Sequence, residues 1–162
     1  MDATTLRAAV LAAIDAARDD ILSLSRRIHA RPEPGGREAF ASGLLCDALE
    51  AAGFSVERGY LGLPTAFLAR KGAAGGPRVA FMAEYDALPG IGHACGHNVH
   101  GAMSLLAGAG LAPVMKELGG ELWVTGTPAE ETNGAKITMA AGGAFDGLDL
   151  ALMIHSGNRD CR

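Results

Sequence analysis

The chain has 162 residues, of which 49% are apolar and 20% are charged, so we expect one globular domain with a hydrophobic core. Its formal net charge of −4 gives no basic footprint for nucleic acid or for an anionic membrane surface. Three cysteines without regular spacing (Cys46, Cys95 and Cys161) argue against a disulfide framework, and the start lacks signal-peptide features, so we expect a soluble, cytoplasmic protein.

The first predicted element is a long amphipathic helix. Apolar residues recur at steps of three and four over residues 6–28, which places them on one helical face. Thr4 or Thr5 is expected to cap the start of this helix, and Pro32 with Pro34 is expected to end it.

A second helix and three short strands come next. The helix is predicted over residues 38–52, with Gly53 as its left-handed C-terminal cap. The strands are predicted at residues 55–58, 65–71 and 78–84. The glycine-rich turn at 72–77 predicts a hairpin-like connection between the last two strands.

The remaining elements alternate between helix and strand. A helix is predicted over 98–118, a strand over 121–127, a helix over 132–141 and a strand over 148–154. This alternation predicts parallel pairing with right-handed crossovers. The apolar run at 150–154 predicts a central strand covered on both faces. We therefore expect a single α/β unit with three layers, in which helices cover both faces of a mostly parallel or mixed sheet.

Residues with metal-binding and acid–base chemistry fall at the ends of the predicted strands or just before a helix. These residues are Glu84, Asp86, Cys95, His97, Glu130, Glu131 and His155. Ligands in open parallel sheets bind at the carboxyl ends of the strands. The sequence therefore predicts that these side chains converge on one edge of the sheet.

Each of these signals also has a plainer interpretation. Cys95 and His97 form a Cys-x-His pair that suits zinc, but polar loop residues packed on a helix explain the pair equally well. Glu130 and Glu131 can divide metal ligation and proton transfer between them, whereas acidic residues also favour a helix start. His155 can be a satisfied core histidine. Their shared position at one edge favours a metal site over the separate explanations.

Longer stretches of the sequence resemble a known family. Residues 83–98 (Ala-Glu-Tyr-Asp-Ala-Leu-Pro-Gly-Ile-Gly-His-Ala-Cys-Gly-His-Asn) resemble a signature of the M20 metallopeptidases, in the amidohydrolase branch called M20D. Gly-Thr-Pro-Ala-Glu-Glu at 126–131 resembles the paired-glutamate motif of that family. His-Ala-Arg-Pro-Glu at 29–33 and Leu-Met-Ile-His at 152–155 resemble two further motifs, and all four occur in family order.

The resemblance implies a zinc-peptidase-like catalytic domain with two divalent metal ions. Zinc is the first expectation, and manganese, cobalt and nickel also suit the ligand types. Position by position, the resemblance implies four metal ligands, which are Cys95, His97, Glu131 and His155. It implies Glu130 as the general base. Asp86 matches a carboxylate that acts in catalysis by orienting a ligand.

The implied activity is hydrolysis of amide bonds in N-acyl amino acids or small dipeptides, with water activated by the two-metal site. The substrate is then a small molecule, and neither nucleic acid nor a membrane is an expected partner. Members of the family are longer and add a lid or dimerisation domain, so the full-length form is expected to be a homodimer.

One departure from the family pattern is Ser156, which stands where proline is common. The lid and the C-terminal part of the catalytic domain are also absent, so we expect residues 1–162 to be an incomplete, N-terminal part of that domain. A fragment of this kind is expected to bind metal only partially and to catalyse poorly.

Two other functions stay open at this point. The chain can be a catalytically incompetent fragment that still binds metal. It can also be a thiol hydrolase with Cys95 as nucleophile and His97 as base. The second alternative leaves the two glutamates and His155 unexplained.

Overall fold

The computed structural model describes residues 1–157, so the predictions for residues 158–162, including Cys161, lie outside the described residues. The helices within this range are α1 (Ala3–Ala30), α2 (Ala39–Ala51), α3 (His97–Leu111), α4 (Met115–Leu118) and α5 (Ala135–Ala141). The strands are β1 (Ser55–Arg58), β2 (Phe67–Gly72), β3 (Arg78–Ala83), β4 (Glu121–Gly126) and β5 (Leu150–Leu152).

The five strands form one mixed sheet in the order β1-β2-β4-β3-β5. β3 pairs in parallel with both β4 and β5, whereas β2 is antiparallel to β1 and to β4. The prediction of a mixed α/β sheet is therefore confirmed. The predicted hairpin between β2 and β3 is wrong, because β4 lies between them. A local turn signal does not reveal that a distant strand will insert between its two neighbours.

The ends of the helices follow local capping chemistry. α1 begins after Asp2 rather than at Thr4 or Thr5, because Asp2 Oδ1 accepts a hydrogen bond from the Thr5 amide at 2.8 Å. Gly53 is left-handed with φ +79°, as predicted for the end of α2. The predicted helix over 98–118 is interrupted at Pro113, which lies in a short 3₁₀ turn between α3 and α4.

The main core lies between one face of the sheet and α1, α2 and α3. Ile28, Leu45, Leu105, Phe67 and Val124 are all buried there. Full burial of such a side chain contributes about 1.5–3 kcal/mol. This core fixes the position of α3, whose first residue carries a candidate site histidine.

The opposite face of the sheet carries smaller apolar clusters. Trp123 and Leu68 pack beneath Tyr60, and Tyr60 also joins the cluster around Met139 of α5. Helices therefore cover both faces, as the sequence predicts.

The prediction that residues 150–154 form a central, covered strand is wrong. β5 is a three-residue edge strand that pairs only with β3 among the described strands, and Leu150 and Leu152 are exposed. An apolar run shows a tendency to be buried, but it does not show whether a neighbour covers it. No helix in residues 1–157 is both long and apolar enough to cross a bilayer.

Candidate metal centre

The candidate site lies where three parallel strands end. Ala83 of β3 pairs with Gly126 of β4, and Phe81 of β3 pairs with Leu152 of β5, so the three carboxyl ends reach the same edge. The residues after these strands supply the polar side chains of the site, together with the loop that leads into α3. The convergence predicted from the sequence is present in the described residues.

His97 is the centre of this cluster and is fully buried. Its Nδ1 lies 3.0 Å from Asp86 Oδ1 and 3.1 Å from the Asp86 carbonyl oxygen. Its Nε2 faces three other carboxylates: Glu84 Oε2 at 3.5 Å, Glu131 Oε1 at 3.8 Å and Glu130 Oε2 at 3.9 Å. One ring nitrogen is thus fixed by Asp86 while the other is directed into an acidic pocket.

The electrostatics of the Asp86–His97 pair favour charge on both partners. Burial lowers the pKa of His97, but the hydrogen bond and charge of Asp86, followed by the charges of Glu84 and Glu131, raise this pKa above its usual value overall. Burial raises the pKa of Asp86, but hydrogen bonds from His97 and from the Glu131 and Glu130 amides lower it overall. Asp86 therefore stays ionised and holds a proton on Nδ1, so Nε2 is the nitrogen that would give up its proton to bind a cation.

Two groups of possible ligand atoms share His97. One group contains Glu84, His97, His100 and His155, and the other contains His97, Glu130 and Glu131; the atoms within each group lie within 4.8 Å of one another. A shared ligand at the junction suits two neighbouring cation positions. Cys95 belongs to neither group in this arrangement, although it stands two residues before His97.

Three buried atoms in the first group lack a hydrogen-bond partner among the described residues: Glu84 Oε2, His97 Nε2 and His100 Nδ1. Buried polar atoms are normally satisfied, so an unpaired carboxylate oxygen and imidazole nitrogen that face each other fit a bound cation. Both donor types are ligands of zinc and its neighbours. The residues present therefore fit the implied metal ions.

His100 plays a different part from His97. Its Nε2 accepts a hydrogen bond from the Ser156 amide at 2.9 Å, and burial lowers its pKa to about 4, so the ring is neutral with its proton on Nδ1. That N–H faces Glu84 Oε2 at 4.0 Å. His100 Nδ1 is therefore a potential donor to Glu84, and it also belongs to the first group of possible ligand atoms.

Glu84 has a partner that the sequence does not reveal. The sequence places Glu84 at the end of a strand, but it does not show which residue pairs with it. In the structure, Lys136 of α5 donates a hydrogen bond to Glu84 Oε1. Glu84 is 1% exposed, so this ion pair offsets part of the cost of burying a carboxylate beside other carboxylates. The two residues are 52 positions apart, and no local pattern links them.

Glu130 and Glu131 follow β4 on a tight turn. The Glu131 amide donates to Asp86 Oδ2 at 2.9 Å, which ties this turn to the carboxylate that holds His97. The two glutamates are almost equally distant from His97 Nε2, so distance does not separate base from ligand. Their exposure differs: the Glu130 side chain is 38% exposed and the Glu131 side chain 21%.

Cys95 and His155 lie at the rim of the cluster. Hydrogen bonding to Glu131, then burial and the nearby carboxylates, raise the pKa of Cys95 to about 11. The His155 ring centroid lies 5.6 Å from that of His97, and its Nδ1 lies 2.8 Å from the Ser156 carbonyl oxygen. The Ser156 hydroxyl donates to the Cys95 carbonyl oxygen at 2.9 Å, which links the two segments.

Metal binding at this site is expected to release protons, and apparent metal affinity is therefore expected to rise with pH. Both Cys95 and His97 have raised pKa values, whereas a metal ligand must be a thiolate or a neutral imidazole. Titration calorimetry with Zn²⁺ in buffers of different ionisation enthalpy, from about pH 6 to about pH 8, measures this release. Cys95→Ser should remove about one proton of it. A metal affinity independent of pH would contradict this ligand set.

Comparison with known proteins supplies a family context for this geometry. A model of peptidase family M20/M25/M40 matches residues 80–161. The chain is 41% identical over 156 residues to the Xaa-Arg dipeptidase of Mus musculus, an alignment that covers 88% of this chain and 36% of that protein. It is 33% identical over 162 residues to a subunit of the p-aminobenzoyl-glutamate hydrolase of Escherichia coli strain K12, covering 88% of this chain and 34% of that protein.

The fold is similar to a crystal structure of the Bacillus subtilis YXEP protein, a dinuclear metal-binding peptidase from the M20 family. The TM-score is 0.77 at 26% identity, over 88% of this chain and 44% of that chain. The described residues thus share the architecture of a protein that binds two metal ions. The chain spans about a third of the length of the two curated relatives.

Proposed function

Because this chain belongs to peptidase family M20, we propose that the protein is a metal-dependent hydrolase of amide bonds in N-acyl amino acids or small dipeptides. The observation that carries this proposal is the arrangement around His97 Nε2, a buried nitrogen without a hydrogen-bond partner among the described residues that faces the paired glutamates. A buried imidazole that faces carboxylates is a metal-binding arrangement, and an adjacent exposed carboxylate suits proton transfer.

Four residues would hold two divalent ions: Cys95, His97, Glu131 and His155. Zinc suits a thiolate, imidazole and carboxylate set, and manganese, cobalt and nickel are alternatives. Such ions polarise the scissile carbonyl and make water more acidic. Glu84 is a further carboxylate on the His97 side, where its unpaired oxygen lies 3.5 Å from Nε2.

Glu130 is the proposed general base. It is the more exposed of the two glutamates, so a water molecule and a substrate can reach it. In this reaction the Glu130 carboxylate takes a proton from water and gives it to the leaving amine nitrogen. Asp86 acts through His97 by holding Nδ1, so it positions a ligand and does not touch the substrate.

The substrate class is supported by the relatives. One is an Xaa-Arg dipeptidase and another a p-aminobenzoyl-glutamate hydrolase. The substrates in both names contain an amide bond to an amino acid, and we propose that this protein hydrolyses the same kind of bond. We further propose that residues 1–162 form the N-terminal part of a catalytic domain. We also propose that the full-length form is a homodimer.

The thiol-hydrolase alternative is disfavoured by the surroundings of Cys95. A nucleophilic cysteine needs a lowered pKa, whereas the carboxylates around this thiol raise its pKa to about 11. The alternative of a metal-binding but inactive fragment differs from the proposed hydrolase in one measurable respect, because it predicts bound metal without turnover.

A screen of N-acyl amino acids and dipeptides with metal-loaded protein tests the proposed activity. We expect hydrolysis that a chelator abolishes and that Zn²⁺ or Mn²⁺ restores. A thiol alkylator should not inactivate the metal-loaded protein, because Cys95 would then be a ligand. Bound metal with no hydrolysis of any substrate favours the inactive alternative, and chelator-resistant hydrolysis rejects the metal mechanism.

A further inference from the structure

A fully buried carboxylate, Glu38, lies beneath the turn that precedes the paired glutamates. It stands just before α2 and is 91 residues from that turn in the sequence. Its Oε1 accepts a hydrogen bond from the Ala129 amide at 2.7 Å, and its Oε2 accepts one from the Thr65 hydroxyl at 3.0 Å. Burial of a carboxylate is tolerated only when such donors satisfy it, so this contact with the turn is specific.

The residue that Glu38 holds has an unusual backbone conformation. Ala129 has φ +58°, in the left-handed region that residues with a Cβ adopt rarely. Its carbonyl oxygen accepts a hydrogen bond from the Gly134 amide at 2.8 Å, so both backbone groups of Ala129 are fixed. Such a conformation persists only where surrounding contacts enforce it. Without the Glu38 acceptor, the buried Ala129 amide would lose its partner.

The held turn leads directly into the site. Ala129 is followed by Glu130 and Glu131, and the Glu131 amide is itself held by Asp86 Oδ2 at 2.9 Å. Two carboxylates therefore fix the backbone on either side of Glu130, with Glu38 before it and Asp86 after it.

The loop between α1 and α2 also packs tightly against this turn. A Cβ at Gly35 would lie 2.9 Å from the Ala129 Cα and 2.3 Å from Thr132 Oγ1, closer than real Cβ contacts. The segment that carries Glu38 therefore has little freedom to move away from the turn.

We propose that Glu38 is a positioning residue for the metal centre. By accepting the Ala129 hydrogen bond, it fixes the turn that presents Glu131 as a ligand and Glu130 as a base. This inference rests on the proposed function and deepens it, because it assigns a role in metal binding to a residue that does not touch the site.

The test compares Co²⁺ affinity among three variants of the 162-residue chain, measured by absorption titration. Glu38→Met removes both acceptors at similar volume, and we expect it to weaken Co²⁺ binding about 10–100-fold, as loss of a residue that orients a ligand typically does. Glu38→Gln keeps an oxygen for the Ala129 amide, so it should bind Co²⁺ as the unaltered chain does. Leu49→Ala, which opens a cavity in the buried part of α2, should lower thermal stability without changing affinity.

Hydrogen exchange at the Ala129 amide provides a readout without metal. Protection should be lost in Glu38→Met and kept in Glu38→Gln. A folded Glu38→Met variant with unchanged Co²⁺ affinity overturns the inference, and so does a Glu38→Gln variant as weak as Glu38→Met. If the unaltered chain binds no Co²⁺, the proposed metal centre fails, while the exchange measurement still decides whether Glu38 holds the turn.

If Glu38→Met does not fold, Glu38→Asp takes its place. It keeps the carboxylate but shortens the side chain by one methylene, which draws the acceptor away from the Ala129 amide, and we expect about 10-fold weaker Co²⁺ binding. Unchanged Co²⁺ affinity in that variant would equally overturn the inference.

Discussion

Glu130→Gln is expected to lower kcat by about 10²–10⁴-fold in a catalytically active form of the protein, with metal content unchanged. The amide side chain has nearly the volume of the carboxylate but cannot accept the proton of the attacking water. Glu130 is the more exposed glutamate, so its neutralisation should disturb the packing of the site little. Steady-state kinetics together with metal analysis of the same preparation measure both quantities.

Glu131→Gln is the matched comparison for this experiment. The two residues are adjacent and almost equally distant from His97 Nε2, so a difference between the variants must reflect function rather than location. We expect Glu131→Gln to lose metal as well as turnover, because it removes a proposed metal ligand. Near-normal kcat in Glu130→Gln, or metal loss in both variants alike, would reject the assignment of Glu130 as base.

His97→Ala is expected to have the largest effect on metal binding, with affinity falling more than about 100-fold. Residues that only orient a ligand typically contribute about 10–100-fold, and His97 is itself a proposed ligand that both groups of possible ligand atoms share. Its removal should also leave Asp86 Oδ1 without its side-chain hydrogen-bond partner in the interior. Titration with Co²⁺ or Zn²⁺, followed by metal analysis after dialysis, measures the loss.

His29→Ala is the control for the loss of a histidine. His29 stacks against His93 at a centroid distance of 6.2 Å and belongs to neither group of possible ligand atoms. The His29→Ala variant should therefore bind metal with the same affinity as the unaltered chain. An equal loss of metal affinity in both variants would indicate a general effect on the fold. Full metal affinity in His97→Ala would show that His97 is not a ligand.

The sequence predicted the parts of the fold that depend on local chemistry. The helix end at Gly53 and the strands that precede Asp86 and Glu130 were recognisable because caps and apolar runs are local signals. Convergence at one edge followed from the parallel strands, since successive strand ends in such a sheet face the same way.

What the sequence could not supply depends on contacts between distant residues. β4 inserts between β2 and β3, and nothing in the turn at 72–77 signals this. Lys136 pairs with Glu84 across 52 positions, and Glu38 reaches Ala129 across 91. Such contacts become visible only when the core has placed the elements, because side-chain partners are set by packing rather than by spacing.

The spacing of His97 and His100 is a local signal that could have identified one further neighbour of the site. The two residues lie three positions apart at the start of α3, so their side chains share a helical face. That face places His100 beside Glu84, and the neutral ring then follows from its burial.

X-ray absorption spectroscopy of the zinc-loaded chain tests most directly whether Cys95, His97, Glu131 and His155 form a metal centre. Such a centre should give a sulfur scatterer at about 2.3 Å and nitrogen scatterers at about 2.0–2.1 Å from zinc. The sulfur contribution should vanish in Cys95→Ser, and the nitrogen contribution should fall in His97→Ala. A zinc shell made only of oxygen, or one that neither substitution changes, would show that these residues do not bind the ion.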